Sequence, residues 1–192
     1  GNHTDRSGGA IYNDSDDATL DDCIFTANLS RDGGAIMNNS GTVTTMNECV
    51  FSNNIAEEDG GGIHNYRNQA TITNCTFTAN ASGDTGGGMW IESNGITVLT
   101  SSFIENESIQ GGGMHITDSS LTIEACTFTG NTAIAGGGLF SELSILPMIS
   151  NCTFNENTAQ LWGGGIGTDG GSPVIVGCAF NGNMCQNKGG AI

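Results

Sequence analysis

Apolar residues recur along this chain at period two in short runs, the spacing that turns alternate side chains to one face of a β-strand. One apolar column is Leu20, Met46, Ile72, Val98, Ile123, Ile149 and Ile175. A second is Ile11, Ile36, Ile63, Met89, Met114, Leu139, Ile166 and Ile192. A third is Phe25, Phe51, Phe77, Phe103, Phe128, Phe154 and Phe180, each three residues before an asparagine: Asn28, Asn54, Asn80, Asn106, Asn131, Asn157 and Asn183. Each phenylalanine also follows, two residues on, a cysteine (Cys23, Cys49, Cys75, Cys126, Cys152, Cys178) or, once, Ser101.

The punctuation between these runs is equally regular. Gly-Gly-[Ala/Gly]-[Ile/Leu/Met] begins at Gly8, Gly33, Gly60, Gly86, Gly111, Gly136, Gly163 and Gly189, at intervals of 25 to 27 residues. Two motifs locked to one period define a repeat protein. Nothing has helical periodicity, and runs of glycine would break a helix. Three short strands and three turns per period make one coil of a parallel β-helix. A single coil cannot bury its apolar side, so about seven coils stack at the strand spacing of ~4.8 Å into a rod roughly 35 Å long. The expected fold is therefore all-β, a β-solenoid forming one array over residues 1–192 that continues in a longer protein. A leucine-rich repeat has a similar period, but leucine is scarce here and glycines stand where its returning arm would lie.

Gly-Gly-Ala-Ile (residues 8–11, 33–36 and 189–192) together with seven copies of Phe-x-x-Asn resembles the polymorphic outer membrane protein repeat of chlamydial surface proteins. The resemblance covers essentially the whole chain. It implies a right-handed parallel β-helix at the cell surface, with adhesion as its role. This chain prefers Gly-Gly-Gly, which fills the motif in five copies.

Charge narrows the partners. Four Lys+Arg against 20 Asp+Glu give a net charge of −16, so nucleic acid, which demands clustered cations, is excluded. No apolar run approaches the ~20 residues of a membrane span, and no membrane insertion is expected in this segment. An extracellular or cell-surface location is the expectation, with other copies of the chain, another surface protein or glycans as partners.

Most residue types that suggest chemistry are better explained by stacking. An asparagine column satisfies its own amides. The cysteines lack Cys-x-x-Cys spacing, so zinc is not expected from them. Stacked at ~4.8 Å they sit too far apart for disulfides, and they read as buried small residues. Cys185 falls in a column of Ser30, Ala56, Ser82, Ser108, Ala133 and Ala159 and reads as core filler. Gly164-Gly165-Ile166-Gly167-Thr168-Asp169 matches a calcium-binding nonapeptide, but once only. Acidic groups such as Asp14-Asp16-Asp17, Asp21-Asp22 and Glu57-Glu58-Asp59 leave weak surface calcium binding open; no cofactor is otherwise expected. With only Arg6, Arg31, Arg67 and Lys188 as cations and no insertion to build a cleft, no enzyme is expected, polysaccharide cleavage by paired carboxylates being the alternative.

Two columns read as outward-facing. Strand alternation places Tyr12, Met37, His64, Trp90, His115 and Phe140 outside, beside a floor of Ala10, Ala35, Gly62, Gly88, Gly113, Gly138, Gly165 and Ala191, as a docking strip. Stacking of these large side chains on one another is the alternative. Thr19, Thr45, Thr71, Thr97 and Thr122 form the other column, which suggests ice binding as a further reading. Sequons at Asn2, Asn13, Asn38, Asn74 and Asn151 offer glycan sites, whereas those at Asn28, Asn80 and Asn106 belong to the ladder. The overall expectation is a structural or adhesive rod, with assembly into a filament as one form of it.

Overall fold

The computed structural model describes residues 1–144 and 146–192. Its strands stack into three seven-stranded parallel sheets, one strand from each coil in each sheet. The first sheet collects the segments after the glycines, from Ile11–Asn13 to Ile166–Asp169. The second runs from Ala18–Asp21 to Val174–Val176, and the third from Ile24–Thr26 to Ala179–Asn181. No helix occurs among the described residues, and none is long and apolar enough to cross a membrane.

Register follows the motif. Phe25 pairs with Phe51, Phe51 with Phe77, and so on to Phe154 with Phe180. The rings stack with centroids 4.7–5.0 Å apart and planes within 3–9° of parallel. Ile36, Ile63, Met89, Met114, Leu139 and Ile166 line the first wall of the same core, and Met46, Ile72, Val98, Ile123 and Ile149 the second. Each fully buried phenylalanine contributes about 1.5–3 kcal/mol, spread evenly along the axis.

The corners are built from left-handed residues. The position before the Cys column (Asp22, Glu48, Asn74, Thr100, Ala125, Asn151, Gly177) has φ of 47–65°, and the position before the Asn column (Ala27, Asn53, Ala79, Glu105, Gly130, Glu156, Gly182) has φ of 52–65°. Most are not glycine, so each costs roughly 1–2 kcal/mol of backbone strain. The asparagine that follows holds the second corner in place. Asn54 is typical: its Oδ1 accepts from Asn28 N (3.0 Å) and Asn28 Nδ2 (2.8 Å), and its Nδ2 donates to Phe25 O (3.0 Å) and Asn80 Oδ1 (2.9 Å). All four bonding positions of the amide are used. Asn2 also joins the ladder, donating from both N and Nδ2 to Asn28 Oδ1.

After six of the seven ladder asparagines, all but Asn106, the chain adds a short fourth strand. Leu29–Ser30, Ile55–Ala56 and Ala81–Ser82 pair as one group, and Thr132–Ala135, Thr158–Trp162 and Met184–Cys185 as another. Glu107 bridges Ala81 and Thr132 between them. The longer interval from Gly136 to Gly163 is absorbed as a bulge, with the register shifting between Ala133 and Ala135.

All seven cysteines are free. Cys49, Cys75, Cys126 and Cys152 are buried, and their thiols donate to the carbonyl two residues earlier at 3.2–3.3 Å. The column is therefore a hydrogen-bonding position as well as an apolar one. That explains Ser101, whose hydroxyl makes the same bond to Leu99 O at 2.9 Å. Cys185 is half-buried beside Ala159.

Candidate functional site

The first sheet carries the residues expected to form the docking strip, and the structure corrects that expectation. Tyr12 is 52% exposed, but His64 (7%), Trp90 (8%), His115 (2%) and Phe140 (1%) are buried, as is Met37. They lie outside the central core cluster, so alternation gave their direction correctly. It could not show that something covers them. The first glycine of each motif adopts positive φ, 55–70°, and turns the preceding arm back over the start of its own strand. A Cβ on Gly60 would lie 2.9 Å from His64 Cα, and one on Gly136 2.7 Å from Phe140 Cβ. Larger residues at these positions would push the arm off.

Under the arm the side chains form a second stack. His64 and Trp90 have ring centroids 4.1 Å apart, and His115 and Phe140 meet edge to face at 5.6 Å. The phenyl ring of Phe140 also fills the space above Gly167, where a Cβ would come within 2.7 Å of Cδ2. The alanine-glycine floor is likewise on the other side from the one expected. A Cβ on Gly113 would meet Phe128 Cδ1 at 2.9 Å and Asn131 Cγ at 3.3 Å, and Ala35 is part of the core. Strand geometry begins only at the fourth residue of the motif, so period-two alternation does not extend back through the corner.

Two of the sequons also change meaning. Asn13 and Asn38 are buried, with Asn38 Nδ2 donating to Asn65 Oδ1 at 2.9 Å and Asn13 Nδ2 to Asn38 Oδ1 at 3.3 Å. They form a second, shorter amide ladder and offer no glycan site. Asn74 and Asn151 are exposed. The nonapeptide match is a strand rather than a loop: Ile166–Asp169 pairs residue for residue with Leu139–Glu142.

Electrostatics under the arm follow from burial. Desolvation pulls both His64 and His115 down to about 4, so each is neutral at pH 7. His115 Nε2 lies 3.5 Å from Glu142 Oε2, yet neither of its ring nitrogens has a hydrogen-bond partner; burial outweighs this long contact. Asp59 and Asp32, in the covering arm, have carboxyls pushed above the usual range by burial, partly offset by hydrogen bonds from Thr85 and Ser7 respectively. Asp32, Asp59 and His64 bring one ligand-capable atom each within 4.8 Å of the others. The sequence offered no sign of this group, because its members come from two arms and one strand.

What is accessible lies elsewhere. Thr19, Thr45 and Thr71 are exposed and in register on the second sheet, with Thr97 and Thr122 half-exposed. A shallow polar groove runs past Arg67, Gln69, Glu92, Asn94 and Asp118. Arg67 sits 4.9 Å above the Tyr66 ring, with its Nε 3.5 Å from Glu92.

The family model for the right-handed β-helix region matches residues 1–145 and, overlapping it, residues 33–192. The chain belongs to this right-handed β-helix family. No curated protein and no solved structure matches it.

Proposed function

We propose that this chain is a structural or adhesive rod displayed outside the cell. The observation that carries the reading is the uniformity of the coils: each closes on the same three sheets with a period of 25–27 residues. The columns that resembled chemistry are consumed in holding coil to coil. A rod whose parts are all committed to stacking is suited to spanning distance and presenting a surface. The resemblance to the polymorphic outer membrane protein repeat supports the adhesive form, and the polar groove around Arg67, Gln69 and Asn94 is the surface best suited to a glycan or another surface protein. The scarcity of cations and the absence of an inserted loop argue against polysaccharide cleavage.

The threonine column is the feature that would favour ice binding. Its outward neighbours Asp21, Asn47, Thr73, Leu99 and Glu124 include only one threonine, which weakens a flat two-column array. Electron microscopy of the full-length protein, paired with a glycan array, tests the proposal. Extended rods and glycan binding weakened by Arg67→Ala are expected. Turnover of a polysaccharide, or thermal hysteresis in ice, would replace it.

A further inference from the structure

Acidic side chains close together are expected by chance in a chain of net charge −16, so Asp32 and Asp59 alone would mean little. The imidazole beside them changes the picture. His64 is buried and its Nδ1 has no hydrogen-bond partner, a condition that calls for an explanation in a folded protein. Histidine is the commonest side-chain ligand for transition metals. The carboxylates beside it are held from behind. Ser7 Oγ donates to Asp32 Oδ2 at 3.2 Å, while Thr85 donates to Asp59 Oδ1 from its hydroxyl at 2.5 Å and its backbone N at 3.2 Å. Such outer partners orient ligands before a metal arrives.

We propose that Asp32, Asp59 and His64 form a binding site for a divalent transition-metal ion, zinc being the type, that staples the arms of two successive coils to the strand Ile63–Tyr66. One imidazole nitrogen with two carboxylate oxygens suits zinc and its neighbours, whereas calcium takes oxygen ligands. Bonds of about 2.0–2.2 Å to each ligand would draw the three atoms together to roughly 3–3.5 Å, from their present spread within 4.8 Å. The site occurs once along the rod. In the coil of His115, the other buried histidine, Thr85 and Gln110 occupy the positions of Asp32 and Asp59, and neither supplies a carboxylate.

The test uses the full chain stripped with a chelator, titrated with Zn²⁺ by calorimetry and with Co²⁺ by visible absorption, each against excess Ca²⁺. One zinc per chain is expected, with a thermal midpoint that rises on addition and cobalt bands in the visible. Asp32→Asn, Asp59→Asn and His64→Gln should each weaken binding at least tenfold, and His115→Gln should leave it unchanged. Circular dichroism checks that each variant is folded. If His64→Gln fails to fold, the half-exposed Asp32 carries the test through Asp32→Asn. Absence of stoichiometric binding, full displacement by calcium, or binding indifferent to Asp32→Asn would overturn the site.

Discussion

Replacing Asn80 by alanine tests the amide ladder where it is most enclosed. Asn80 is 0% exposed and makes four side-chain hydrogen bonds. It donates to Phe51 O at 2.9 Å and Asn106 Oδ1 at 3.0 Å, and it accepts from Asn54 N at 3.0 Å and Asn54 Nδ2 at 2.9 Å. Truncation removes all four. The amides on either side each keep another bond, Asn54 Nδ2 to Phe25 O and Asn106 Oδ1 from Asn80 N. The two backbone groups, Asn54 N–H and Phe51 C=O, lose a side-chain partner that water cannot replace. At about 1–3 kcal/mol for each of the two groups, the expected loss is about 2–6 kcal/mol, nearer the low end because Phe51 C=O keeps its place in the parallel ladder. The same change at Asn183, half-buried on the last rung, lets water in and should cost only about 1 kcal/mol. Urea unfolding followed by circular dichroism measures both, with midpoint and slope read together because repeat arrays can uncouple. A loss below about 1 kcal/mol at Asn80, or equal losses at the two sites, would refute the ladder as the source of stability.

Three further outcomes follow from the corners, the histidines and the thiols. Ala79 sits at φ 52°, and Gly130 and Gly182 occupy the same corner in other coils; Ala79→Gly should stabilise by roughly 0.5–1 kcal/mol, relief of left-handed strain exceeding the entropy cost of glycine. A lower midpoint in the same urea titration would contradict this. The two buried histidines titrate near 4 when folded and near 6.5 when unfolded, so the unfolded chain binds more protons between those values. Stability should therefore fall as pH drops from about 6.5 to about 4, by up to roughly 3 kcal/mol per histidine. Asp32 and Asp59, raised by burial, act in the opposite sense at the acid end of that range. Thermal midpoints across this range should flatten in His64→Gln/His115→Gln; an unchanged slope would show that other groups carry it. Burial pushes the Cys75 thiol up to about 12, so native Cys75 should resist a thiol reagent until the chain unfolds, and a reductant should leave the thermal midpoint unmoved. A midpoint lowered by reductant would reveal a disulfide.

The stacked architecture could be read from the chain because its signals are columnar. A residue type recurring every 25–27 positions states which side chains lie above one another, and Phe25 to Phe180 and Asn28 to Asn183 pair as the spacing requires. The covering of the first sheet could not be read in this way. His64 and Trp90 alternate correctly with Ile63 and Met89, but alternation specifies only a direction, and burial depends on where the preceding arm goes. That path is set by one left-handed glycine per coil. The Ala/Gly column failed for a related reason, since its residues belong to the corner and not to the strand. Asn13 and Asn38 looked like sequons because a three-residue pattern carries no information on burial. The Asp32–Asp59–His64 group lies beyond sequence reasoning altogether, being assembled across two coils.

The asparagine ladder also gives the rod a sense of direction. From Asn28 to Asn157 every amide accepts from the coil before it and donates to the coil after it, so the side-chain dipoles add along the axis rather than cancel. Each completed coil thus offers a free donor to whatever is laid on next, and only an incoming carbonyl oxygen at the matching position can take it. A coil slipped by one residue would place there either the left-handed corner residue or the residue after the asparagine, and at Ala27, Leu29, Ile55, Ala79 and Ala81 neither has a side-chain acceptor. Growth in the order of synthesis is then self-checking: the last coil formed acts as a one-sided template, and register is verified once per turn by a single amide.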